Sequence, residues 1–169
     1  MSQLPRQEDI NVYDSLDERS AVRSFLGKTR EDILQRLPGE YSSLQEDLAF
    51  MGPVAFAYYA PAWEQFFHDL TAKLQEGADC IETLDDVALW TMCIISIRAL
   101  WLDKETPEAA AALRRMLTDC EHHYHSAACL QYYAEDARLC GYAECFIEMP
   151  PELQELREEC GRMRQTLQG

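Results

Sequence analysis

The stretch "TLDDVALWTMCIISIRALWLD" (residues 83–103) decides the fold. Thr83 followed three residues later by Asp86 has the form of a helix-capping box, and neither Gly nor Pro occurs between there and Asp103. Wound at 100° per residue, its apolar side chains fall on nearly every side. A helix of that kind needs other helices around it. It is too short to need a bilayer: the apolar run 87–102 falls below the ~20 residues of a spanning helix and contains Arg98. The pattern predicts a central apolar helix near 84–103 inside an all-α bundle.

Working outward, the flanking segments carry the same signals. Ser15 with Glu18 opens "LDERSAVRSFLG" (16–27), which Gly27 is placed to stop. Thr29 with Asp32 opens "REDILQRL" (30–37), ended by Pro38-Gly39, and "EYSSLQEDLAFM" (40–51) stops at Gly52-Pro53. Pro53 and Pro61 each fit a first helical turn, and "PAWEQFFHDLTAKLQEG" (61–77) closes on Gly77. Thr106-Pro107 starts "PEAAAALRRMLTDCEHHYH" (107–125), Gly141 ends the next stretch, and Pro150-Pro151 starts "ELQELREECGRMRQTL" (152–167). Only "GYAECFIEM" (141–149) reads equally as strand or helix. The expectation is a single compact helical domain over residues 1–169, about seven helices, with 1–14 a loosely ordered N-terminal segment.

Composition narrows the function. Thirty acids face fifteen bases, a formal net charge of -15. That field repels phosphate backbones and anionic lipid, so no nucleic-acid and no membrane partner is expected, and it favours encounter with a basic protein. The N-terminus "MSQLPRQEDINVYDS" lacks the apolar core of a secretory signal, and seven cysteines cannot all pair within one chain. Both point to a cytoplasmic location with free thiols.

"CEHHYHSAAC" (120–129) concentrates three of the four histidines between two cysteines, residue types that zinc prefers. Helical phasing splits the group. Cys120 shares a stripe with Leu113, Met116, Leu117 and Tyr124 and reads as a core thiol, with His123 on its flank. His122, His125 and Cys129 fall on the opposite, solvent side of a continuous helix. That trio is the candidate metal site and the basis of an alternative reading as a small metal- or thiol-dependent enzyme. The primary expectation is no metal, no cofactor and no catalytic residue, because no phosphate loop, nucleophile elbow or H-E-x-x-H pair occurs.

A second concentration, "YSSLQEDLAFMGPVAFAYYAPAWEQFF" (41–67), is rich in aromatics. Most read as core, with Tyr58 and Trp63 as candidate part-exposed interface anchors. Together with the upstream "FLGKTREDILQRL", the run Y-x-x-x-x-E-D-L-x-x-M-G-P-x-A-F-x-Y-Y-x-P-A resembles a family of short bacterial proteins over residues 25–62. The resemblance implies a bacterial cytosolic protein of the immunity-like kind, which partners a secreted toxin, and it implies no catalytic residue.

Between Glu64 and Asp86, seven acids (Glu64, Asp69, Glu76, Asp79, Glu82, Asp85, Asp86) stand against one base, Lys73. Part of this excess suits helix N-termini; the regional imbalance points to an acidic patch. The resulting expectation is an immunity protein that blocks a basic toxin or effector domain through acidic residues and aromatic anchors. A helical adaptor or chaperone with an apolar groove is the other non-catalytic reading.

Overall fold

The computed structural model describes residues 3–139 and 149–168, and these are all-helical, with no strand among them. Eight α-helices follow in order: α1 (Gln7–Ile10), α2 (Leu16–Phe25), α3 (Arg30–Phe50), α4 (Pro53–Gln75), α5 (Ile81–Ala99), α6 (Pro107–Tyr124), α7 (Ala127–Leu139) and α8 (Pro151–Gln168). A short 3-10 turn, Leu102–Lys104, links α5 to α6. Gly141 and nearly all of 141–149 lie outside the described residues.

Several helix boundaries follow the capping chemistry. Ser15 and Thr29 each accept the N–H of the third residue on, while Glu18 and Asp32 reach back to the cap N–H groups. Thr106 caps α6 through the Ala109 N–H. Gly27 and Gly77 take positive φ, 74° and 91°, just past the ends of α2 and α4.

Other boundaries differ from expectation. Pro38-Gly39 does not end a helix: α3 runs through it unbroken. A proline inside a helix removes one hydrogen bond and costs roughly 3 kcal/mol. Here Ile33 and Leu37 before it, and Leu44 and Leu48 after it, are all buried, while Pro38 and Gly39 face solvent, where water can meet the freed carbonyl. Tertiary burial on both sides outweighs the local break. Pro61 likewise lies inside α4, between buried Tyr59-Ala60 and Ala62-Trp63, and the helix start belongs to Pro53 alone. Within residues 1–14, α1 is docked: it buries Ile10 fully, and the Gly52 N–H donates to the Ile10 carbonyl at 2.9 Å.

The central helix is α5, which packs against α3, α4, α6, α7 and α8. It is shorter than 84–103 and starts earlier, at Ile81 after Cys80, so Thr83 is not its cap. It ends at Ala99, and Arg98, in its last turn, points inward. The guanidinium Nη1 lies 3.3, 3.1 and 2.9 Å from the Leu48, Ala49 and Met51 carbonyls at the end of α3, and Nη2 donates to Glu105 at 2.8 Å. Beyond it Leu100 and Trp101 emerge into solvent. One edge of α5 is also exposed, at Asp86, Leu89 and Cys93. No helix among the described residues is long and apolar enough to cross a membrane.

The motif over residues 25–62 is a packing device. Tyr59 Oη sits 2.8 and 2.9 Å from the Phe25 and Lys28 carbonyls, and so ties the FLGK turn after α2 onto α4. Its ring meets Phe25 edge-on at 4.8 Å. Gly52 sits where α1 crosses the α3–α4 corner, with no room for a side chain against Asp9 O and Val12.

Candidate functional site

The seven acids of 64–86 separate into groups. Glu64 accepts both Arg115 donors at 3.0 and 2.9 Å, bridging α4 to α6. Asp69 accepts from Gln65 one turn earlier. Asp85 is buried and points inward, which removes it from any surface patch. Glu76, Asp79, Glu82 and Asp86 remain outside the core, and all four are exposed. The anchors also change. Trp63 is 2% exposed and donates its indole N–H to Thr91 Oγ1 inside the core. Tyr58 is half-buried beneath the Arg30 guanidinium, 4.4 Å from its ring centre. Burial removes Trp63 as a surface anchor, whereas Tyr58 keeps a partly exposed face beside Arg30.

Two other tyrosines stand beside these acids. Glu82 and Asp86 lie one turn apart on α5. Tyr41 of α3 donates to Asp86 at 3.2 Å; partial burial, then the charges of Asp86 and Glu82, push its phenol pKa up. Tyr132 of α7 is raised by burial first and then by Asp85, Glu82, Asp136 and Asp86. Glu82 and Asp86 of α5 thus act on both half-buried phenols, and Asp136 of α7 acts on Tyr132, with the Tyr41–Asp86 hydrogen bond the direct contact among them. Among the described residues, none of the three makes an ion pair with a base. Tyr41 and Asp136 lie far apart in sequence and outside the acidic run, so only the packing of α3 and α7 on α5 reveals them.

The histidine–cysteine trio does not assemble. His122 and His125 are exposed, with His125 Nδ1 2.8 Å from the Glu121 carbonyl at the end of α6. The helix does not continue to residue 129. It stops at His125, Ser126 Oγ accepts the Cys129 N–H at 3.1 Å, and α7 begins as a separate helix at Ala127. The break turns Cys129 into the core, where it is fully buried.

What does assemble is a buried polar cluster from α5, α6 and α7. His123 Nε2 lies 2.9 Å from Asp85 Oδ1, and Tyr133 Oη donates to Asp85 Oδ2 at 2.8 Å. Ligating atoms of Asp85, His123 and Cys129 all lie within 4.8 Å of one another. Phe67 and Tyr124 hold the imidazole edge-on. Burial, then Asp85, push the Cys129 thiol up to about 12 against the pull of Arg157, so the free thiol is protonated and a weak nucleophile. A cleft of about 470 Å³, walled by Phe67, His68, Leu74, Leu84, His122 and His123, opens against this cluster.

A third feature is an apolar groove of about 390 Å³ between the α3–α4 corner and the end of α5. Tyr13, Phe50 and Trp101 line it and are 67%, 39% and 53% exposed. Lys104 Nζ lies over the Trp101 ring at 4.5 Å. Buried Arg98 and Glu105 form part of its wall. No protein family, curated protein or solved structure matches the chain.

Proposed function

We propose that this protein is a non-catalytic acidic interaction protein of the immunity type, which binds and blocks a basic toxin or effector domain in the bacterial cytoplasm. The observation that carries this reading is the α3–α5–α7 surface, where the charges of Glu82, Asp86 and Asp136 act on Tyr41 and Tyr132 and, among the described residues, none of the three carboxylates is ion-paired with a base. Carboxylates steer a basic partner into register, and part-buried tyrosines supply contact area at little cost in conformational freedom. Glu76 and Asp79, at the turn between α4 and α5, extend the negative field.

The test is capture from the native host by the wild-type protein and by a Glu82→Lys, Asp86→Lys, Asp136→Lys variant. The expected result is a basic toxin domain held by the wild type, released by salt, inhibited on binding, and lost in the variant. Equal capture by both proteins, or a partner that is not inhibited, overturns the reading.

The exposed aromatic groove favours a second reading, a helical adaptor that seats an apolar segment of its partner. Trp101→Ala with Tyr13→Ser separates the two. It abolishes capture if the groove is the docking surface and leaves it intact if the acidic face is.

A further inference from the structure

We infer that Asp85, His123 and Cys129 form a buried zinc site, joined by α5, α6 and α7 and distinct from the acidic binding face. The three groups supply one oxygen, one nitrogen and one sulfur, and their ligating atoms lie within 4.8 Å of one another. Mixed thiolate, imidazole and carboxylate donors suit zinc better than calcium or magnesium, which take oxygen alone. A tetrahedral site with ~2.0 Å bonds needs donor separations of about 3.3 Å. The His123–Asp85 contact at 2.9 Å therefore opens by only a few tenths of an ångström.

Charge favours the same ion. One thiolate and one carboxylate neutralise a divalent cation, so the occupied site carries no net charge into the core. On binding, the Cys129 thiol releases its proton to solvent and the imidazole presents an unprotonated nitrogen. Tyr133, which donates to the second Asp85 oxygen at 2.8 Å, holds the carboxylate in orientation. His123 also lines the 470 Å³ cleft, so the cluster lies beside an opening to solvent, and a water would complete the four ligands that zinc takes. The surface histidines His122 and His125 take no part.

The experiment is a titration of reduced, tag-free protein with Co²⁺ as a spectroscopic substitute for zinc, followed by competition with Zn²⁺. The expected result is one equivalent bound, with a thiolate-to-metal charge-transfer band and the visible bands of tetrahedral cobalt, both displaced by zinc. Cys129→Ser removes the charge-transfer band, Asp85→Asn weakens binding at least tenfold, and a His122→Ala, His125→Ala variant matches wild type. The wild-type spectrum is decisive even where a variant fails to fold. Absence of the charge-transfer band in wild type, its survival in Cys129→Ser, or loss of binding in the His122, His125 variant overturns the inference.

Discussion

Replacing Arg98 with methionine tests how the end of the central helix is held. The Arg98 and Glu105 side chains are 4% and 5% exposed, and they meet at 2.8 Å. The same guanidinium reaches three carbonyls at the α3 terminus and lies 3.9 Å above the Phe56 ring. Methionine preserves the stem and its contact with Phe56, so packing is largely kept. What disappears is the charge. Glu105 is left as a buried carboxylate without a partner, and the α3 terminus loses its donor. Removing one member of a buried pair costs about 3–5 kcal/mol. Arg98 Nε has no hydrogen-bond partner, so the wild-type arrangement is not fully satisfied and the lower half of that range is expected.

Two companions isolate the mechanism. Glu105→Gln keeps a neutral acceptor for Nη2 and leaves the α3 carbonyls served, so about 1–2 kcal/mol is expected. The double variant Arg98→Met, Glu105→Gln removes the stranded charge and recovers at least about 1 kcal/mol relative to Arg98→Met alone. Urea unfolding followed by far-UV circular dichroism gives all three values. If Arg98→Met costs less than Glu105→Gln, or the double variant is no more stable than Arg98→Met, the stranded carboxylate is not the origin of the loss.

Gly52→Ala places a Cβ against Asp9 O and Val12 while the Gly52 N–H is tied to Ile10 O, so a loss of at least about 1–3 kcal/mol is expected in the same assay. Gly39→Ala meets open space inside α3 and is expected to stabilise by about 0.5–1 kcal/mol; the opposite signs are the check, and matching signs would refute the packing account. Burial pushes the Glu18 carboxyl up, but N–H donors from Ser15, Tyr13 and Val12 outweigh it and hold the pKa below the ordinary 4.5. Its contribution is therefore full above the unfolded value and lost as pH falls through the lower folded one. The stability gap between wild type and Glu18→Gln should shrink on acidification below that range, and a gap that stays constant from neutral to acid pH counts against it. For thiols, iodoacetamide followed by peptide mass mapping should label exposed Cys93 in the native protein and Cys120, Cys129 and Cys160 only after unfolding. Labelling of Cys129 at the rate of Cys93 would contradict its burial.

Local chemistry made much of this fold readable. The boxes at Ser15 and Thr29, the glycines at 27 and 77 and the Thr106-Pro107 start each satisfy backbone groups within a few residues, so their effect is visible in a short window. Pro38-Gly39 and Pro61 misled for the complementary reason. What keeps α3 and α4 continuous is burial against other helices, such as Leu37 and Leu44 on either side of the break, and no local window contains that information. The Thr83–Asp86 pair met the pattern of a cap but lies inside α5. Its Asp85 neighbour belongs to the core.

The site residues show the same division at longer range. Phasing correctly separated Cys120 from its neighbours and placed His123 on the edge of the buried stripe, because both sit on one unbroken helix. It failed at Cys129, where the helix ends at His125 and a serine cap restarts it, so an expected solvent thiol becomes a core one. Asp85 looked like part of a charge run, yet His123 and Tyr133 draw it inward from 38 and 48 positions away. Charge counting treats every acid alike, whereas Glu64 is bound to Arg115 and Asp85 is buried. Subtracting them shifts the exposed negative field toward the start of α5, and the packing of α3 and α7 adds Tyr41, Tyr132 and Asp136 to it. An acidic surface retained for solubility alone needs no such convergence around phenols. On the proposed reading it has a use, because long-range attraction sets the approach of a basic partner while aromatic contact sets the lifetime of the complex.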